Sequence, residues 1–176
     1  MFSDDVDMWV DTDAFEAEAS LDDTALSERE AERLETAMQL YHGDLLPGWH
    51  EDWILIERER LRHLFVVSLG RLMAFHEQTG ALERAVACGQ RLLKFEPLHE
   101  ATHEALMRIY LRTGFRAAAL KQYELCRTLL EAKFAVLPND KLRALYAKAR
   151  NPDSRPRNRS ARSAAARELE HSGSSE

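Results

Sequence analysis

Cysteine, proline, glycine and β-branched residues are all scarce in this chain. Two cysteines, Cys88 and Cys126, stand 38 residues apart with no partner motif, so buried thiols are expected rather than a disulfide. Seven glycines and five prolines in 176 residues leave little turn chemistry. Six valines and three isoleucines face 24 alanines and 25 leucines. Unbranched side chains lose little rotamer freedom in a helix, so this balance nearly excludes a sheet protein. No apolar run approaches the roughly 18–20 residues that cross a bilayer. The longest candidate, residues 64–70, is short and flanked by charge, so no membrane partner is expected. The start, Met1-Phe2-Ser3-Asp4-Asp5, has no basic stretch and no apolar core, which excludes a secretory signal. The expectation is an all-α, cytoplasmic chain with one domain of ordinary size.

The net charge of −6 conceals a segregated pattern. Residues 1–35 carry 13 acids and 2 bases, whereas residues 36–149 carry 13 acids and 16 bases. Residues 150–176 carry 4 acids and 6 arginines. No strongly basic face emerges, so specific binding of duplex DNA by this chain alone is not expected. Residues 1–9 read as an acidic leader, kept open by like-charge repulsion. From Asn151 the run Pro-Asp-Ser-Arg-Pro-Arg-Asn-Arg-Ser has no apolar periodicity, so residues 150–176 read as a disordered, solubilising Arg/Ser-rich tail.

Helical periodicity begins near Glu28, where Ala31, Leu34, Ala37, Met38 and Tyr41 recur at three- and four-residue steps. Gly43 and Pro47-Gly48 mark its end and a turn. Asp52 is the expected N-cap of a long helix from Trp53 to about Thr79. Its inner face is expected to hold Trp53, Ile56, Leu61, Leu64, Val67 or Ser68, Leu72 and Phe75. Gly80, Pro97, Gly114 and Pro138 then delimit helices near 81–95, 99–113, 115–133 and 139–149. A shift of 34 residues brings Leu72-Met73 onto Leu106-Met107, Thr79-Gly80 onto Thr113-Gly114, Ala85 onto Ala119 and Leu92 onto Cys126. A 34-residue period of two helices is the tetratricopeptide signature, in which each pair leaves an apolar face that its neighbour covers. The expected architecture is a tetratricopeptide-like, right-handed array of about three antiparallel helix pairs.

A more specific likeness runs along the same stretch. It begins with Ala37-Met38-Gln39-Leu40-Tyr41-His42-Gly43-Asp44-Leu45-Leu46-Pro47-Gly48, Asp52-Trp53, Glu57-Arg58 and Leu61. It continues through Gly80, Ala85, Pro97-Leu98-His99-Glu100, His103, Leu106-Met107, Gly114, Ala119-Leu120, Tyr123, Leu129 and Pro138. Over about residues 10–149 this ordered set resembles the bacterial transcriptional activator domain, the tetratricopeptide-like half of antibiotic-pathway regulatory proteins. The resemblance marks Trp53, Arg58, Gly80, Ala85, Pro97, Gly114, Ala119 and Tyr123 as structural motif positions. It implies transcription regulation through a protein partner. Such regulators carry a winged-helix DNA-binding domain ahead of this region, and the present sequence is expected to stand without it. Phe134-Ala135-Val136 occupies the place of a Leu-Gly-Val turn in the family, which is expected to shift the start of the last helix.

No phosphate loop and no nucleophile with a matching base occur, so neither a catalytic residue nor a cofactor is expected. His99-Glu100-Ala101-Thr102-His103 matches the H-E-x-x-H zinc pattern. Capping and packing are the preferred reading, because Leu106 and Ile109 stand where an extended motif needs Gly and His, and His103 aligns with Leu69. Trp49 and Trp53 are expected to pack at the turn into the long helix. Offset from the Leu106/Met107/Tyr110 seam, the expected partner-binding wall consists of Glu104, Arg108 and Arg112 with Ala74, Glu77 and Gln78. A generic tetratricopeptide adaptor or co-chaperone would use the same wall with more Lys, Arg and Asn.

Overall fold

A computed structural model describes residues 15–19, 26–40 and 51–151, which are helical apart from short connections. After a short helical segment at residues 15–19 come α1 (Glu28–Leu40), α2 (Asp52–Gln78), α3 (Leu82–Phe95), α4 (Glu100–Arg112), α5 (Arg116–Phe134) and α6 (Asp140–Arg150). The acidic leader, Gly43, Pro47-Gly48, Trp49 and the tail's Arg155, Arg157, Arg159, Arg162 and Arg167 lie outside the described residues. Helix α1 packs on α2, α2 on α3, α3 on α4, and α4, α5 and α6 pack on one another. The closest packing is α2 with α3 and α4 with α5, the two units that the 34-residue shift superposes.

The repeat holds at atomic detail. Thr79 and Thr113 end α2 and α4 with the same bonds, each backbone N–H donating to the residue four back and each Oγ1 to carbonyls three and four back. Gly80 and Gly114 then take φ of 82° and 83°, a left-handed conformation that glycine adopts without steric cost. Ala81 and Phe115 follow with φ, ψ of −77°, 60° and −78°, 59°. The same chemistry 34 residues apart makes the same turn. Ala85 and Ala119 are each 0% exposed, so both second helices sit close against their partners.

The core runs as three linked clusters along this array. The first joins Phe15 and Ala19 to Leu34 and Met38 of α1, Leu61, Phe65 and Leu72 of α2, and Leu92 of α3. The second holds Met73, Ala85, Leu106 and Ile109. The third holds Met107, Tyr123, Cys126, Leu130 and Leu142, with Tyr123 stacked on Tyr146 at 4.1 Å. Each fully buried Leu contributes roughly 1.5–3 kcal/mol.

Helix ends are closed from neighbouring elements as well as locally. Ser27 and Glu30 form a capping box at the start of α1, with the Ser27 N–H donating to the Glu30 carboxylate at 2.8 Å. Arg91 of α3 donates to the Met38 carbonyl of α1 at 3.1 Å. Arg62 of α2 donates to the Phe95 carbonyl at the end of α3, and Arg116 of α5 donates to the Ala149 and Arg150 carbonyls ending α6. Each guanidinium satisfies carbonyls that a helix end leaves without partners and sits at its negative pole.

Two sequence expectations are corrected. Asp52 is the first helical residue of α2, and the N-cap is Glu51, whose side chain makes no capping bond. The buried face of α2 is Ile54, Leu61, Phe65, Ser68, Leu69, Leu72, Met73 and His76. Trp53 and Ile56 are exposed, because the unbroken apolar run 53–56 carries no polar residue to set its register, and of the Val67/Ser68 alternative it is Ser68 that is buried. At the Phe134-Ala135-Val136 turn, Ala135 itself takes the left-handed conformation, at φ 54° and ψ 35°, and the last helix starts at Asp140.

Candidate functional site

Glu77 lies in the last turn of α2, and Arg108 and Arg112 lie one turn apart on α4. That spacing puts both guanidinium groups on one helix face. Arg108 donates through Nε and Nη2 to the two oxygens of the Glu77 carboxylate, at 3.0 and 2.8 Å. Arg112 donates to the same carboxylate at 3.1 Å. Glu104, one turn before Arg108, approaches its Nη1 at 3.5 Å. The Glu77 side chain is only 15% exposed, while those of Arg108 and Arg112 are 44% and 50% exposed. The bond from Arg108, more than any other influence, holds the Glu77 carboxyl below the usual carboxylate range despite partial burial.

Four of the residues expected on the partner-binding wall thus meet, while Gln78 and Ala74 stand exposed along α2. Their meeting changes the chemistry. Glu77 accepts from both arginines, so their guanidinium groups already share one carboxylate. Two acids and two bases leave the cluster neutral. Arg108 presents its bidentate edge inward, whereas Arg112 uses one nitrogen on Glu77 and stands half in solvent. Glu77 therefore orients Arg112, whose side chain remains half exposed.

The H-E-x-x-H residues serve as a latch at the start of α4. His103 is 0% exposed; its Nε2 lies 2.8 Å from the Pro97 carbonyl and its Nδ1 2.7 Å from the Gln122 amide nitrogen. The first nitrogen donates and the second accepts, so the ring is neutral and neither nitrogen has a lone pair to offer a metal. Burial pushes the His103 pKa down, with the Pro97 bond opposing it. Glu100 accepts from the Asn139 N–H at 2.7 Å and ties α4 to the start of α6. His99, at the N-cap, faces the Thr102 hydroxyl at 2.7 Å. No group of three metal-ligating side chains converges among the described residues.

The remaining motif positions are placed plainly by the structure. Ala85, Ala119 and Tyr123 are buried, Arg58 is half-buried on α2, and Pro97 is exposed while its carbonyl holds His103. Trp53 is half exposed, with its indole N–H donating to Glu51 at 2.7 Å, so the expectation that it packs in the core is corrected. With Leu55 and Ile56 it leaves an apolar surface at the start of α2. Cys88 and Cys126 are free thiols, and burial raises both to about 11, which leaves them unreactive near neutral pH. The contact of Glu35 with His76, 41 residues apart, had no local signal in the sequence and appears only once α1 packs on α2.

The described residues thus form an all-helical domain with a 34-residue repeat of turn chemistry and a surface ion-pair cluster. The family model of the bacterial transcriptional activator domain matches residues 10–150, and the chain belongs to that family. It is a family of regulatory domains, not of enzymes. Among curated proteins, none matches the chain. No helix among the described residues is long and apolar enough to cross a membrane.

Proposed function

We propose that this chain is a non-enzymatic protein-interaction module of bacterial transcription regulation. Its partner is a regulator, a component of the transcription machinery or a second copy of the chain, and it acts in the cytoplasm. Family membership over residues 10–150 carries this reading. The α2/α4 face supports the choice of surface. The ion pairs from Glu77 of α2 to α4 hold Arg112 there on a preformed carboxylate support, with Gln78 exposed on α2. Preorganisation of this kind lowers the ordering cost of binding. Duplex DNA is not the primary partner, because the body of the chain lacks a basic stripe.

Transcript profiling in the source organism tests the proposal. Loss of the gene should alter a defined set of transcripts, and Arg112→Ala should reproduce that profile. The variant's thermal stability should change by no more than about 0.5 kcal/mol, as for a surface ion pair. A wild-type profile from Arg112→Ala would remove this residue, and with it the α2/α4 face, from the account.

A further inference from the structure

A cleft of about 490 Å³ opens between α1, the last turns of α2 and the start of α3. Its size falls within the range of small-molecule sites. The walls come from three helices: Glu28, Glu32 and Glu35 of α1, Phe75 and His76 of α2, and Arg84 of α3. Ala31, Ala81 and Thr79, whose hydroxyl is already bonded to the Phe75 carbonyl, complete the lining. At the base, His76 is only 2% exposed and its Nε2 lies 2.6 Å from Glu35 Oε1. That contact fixes one oxygen of Glu35. Among the described residues Glu28 and Glu32 make no ion pair, and Arg84 makes none with any of the three glutamates. The lining therefore combines an aromatic ring, a buried imidazole and three carboxylates against one guanidinium.

We infer that this cleft receives an organic cation, an ammonium or guanidinium group carried on a short aliphatic stem. Carboxylates supply charge-assisted acceptors, the phenyl ring supplies a negative face, and the alanines give the stem an apolar wall. An anion would meet three like charges. A neutral apolar ligand would cover carboxylates without pairing them, which is unfavourable. The occupant would also bridge α1 to α2 and α3, so binding would tighten the docking of α1.

The test uses the full chain, labelled with ¹⁵N and titrated with agmatine and, separately, with N-acetyl-arginine methylamide. The two arms distinguish a free amine from an arginine side chain of a partner. The expected result is a saturable set of amide shifts confined to residues 28–35 and 75–84 with at least one probe. Glu28→Gln/Glu32→Gln should weaken that binding roughly tenfold or more. Both sites are solvent-facing, so melting curves should coincide with wild type. Phe75→Leu keeps an apolar wall without the ring and should weaken binding several-fold. Shifts that fail to saturate, that spread equally over the acids of residues 4–23, or that persist unchanged in the double glutamine variant would overturn the inference.

Discussion

Ala135 ends α5 in a conformation that costs an alanine roughly 1–2 kcal/mol, because its Cβ crowds the following carbonyl. Glycine relieves that crowding but loses more freedom on folding, about 0.4–1 kcal/mol. Ala135→Gly is expected to stabilise by about 0.5–1 kcal/mol, which raises the melting temperature by a few degrees in a chain of this size. A lowered melting temperature would show that the turn does not carry this strain. His103 gives a second residue-scale expectation, in pH. Its pKa is lowered from 6.5 by burial. Below that value the unfolded chain takes up a proton that the folded chain resists. The stability that neutral His103 contributes is therefore present above about pH 6.5 and is lost as pH falls towards the lowered, folded-state value. Melting curves at pH 7.5 and pH 5.0 should show a larger drop for wild type than for His103→Gln, and equal drops would contradict the neutral latch. The imidazole's role was only partly legible in sequence. Alignment of His103 with Leu69 marked a packing position, but Gln122 and Asn139 carry no motif and reach this corner only through α5 and α6.

Six helices follow from a few kinds of local signal, and most of them could be read in advance. Gly80, Pro97, Gly114 and Pro138 placed α3 to α6 within a residue of their positions, because each marks a turn that bounds a helix. Helix α2 was harder. Its 27 residues carry apolar side chains on both faces, so pattern alone set the wrong register at Trp53 and Ile56. The closing of helix ends by Arg62, Arg91 and Arg116 was not legible at all, since each acts across the fold. The repeat register, in contrast, makes a sharp expectation. Ala119 is 0% exposed where α5 meets α4, beside a core that includes Met107 and Tyr123. Ala119→Leu would overpack this crossing and should cost roughly 1–3 kcal/mol. An unchanged or raised melting temperature would show that α5 has room to retreat and that the crossing is not tight.

At the scale of the whole molecule, the described helices bury three linked core clusters, and the outward faces of stacked helices are where repeat proteins present binding surfaces. The family places this array in transcription regulation, and the α2/α4 face is where the fold brings distant charged residues together. The sequence pointed to Glu77, Glu104, Arg108 and Arg112 as neighbours of one wall. It did not show that Glu77 engages both arginines, because ion pairing across 31 and 35 residues depends on the exact approach of two helices. Site-specific photo-crosslinking tests this face most directly. The photoreactive p-benzoylphenylalanine is placed at Gln78 in one variant and at Lys121 of α5 in another, both exposed, and each is irradiated in the source organism. The account expects a covalent adduct with a transcription protein or a second copy of the chain from position 78, lost when Arg112→Ala is added, and little adduct from position 121. Adducts from position 121 with none from position 78 would contradict it.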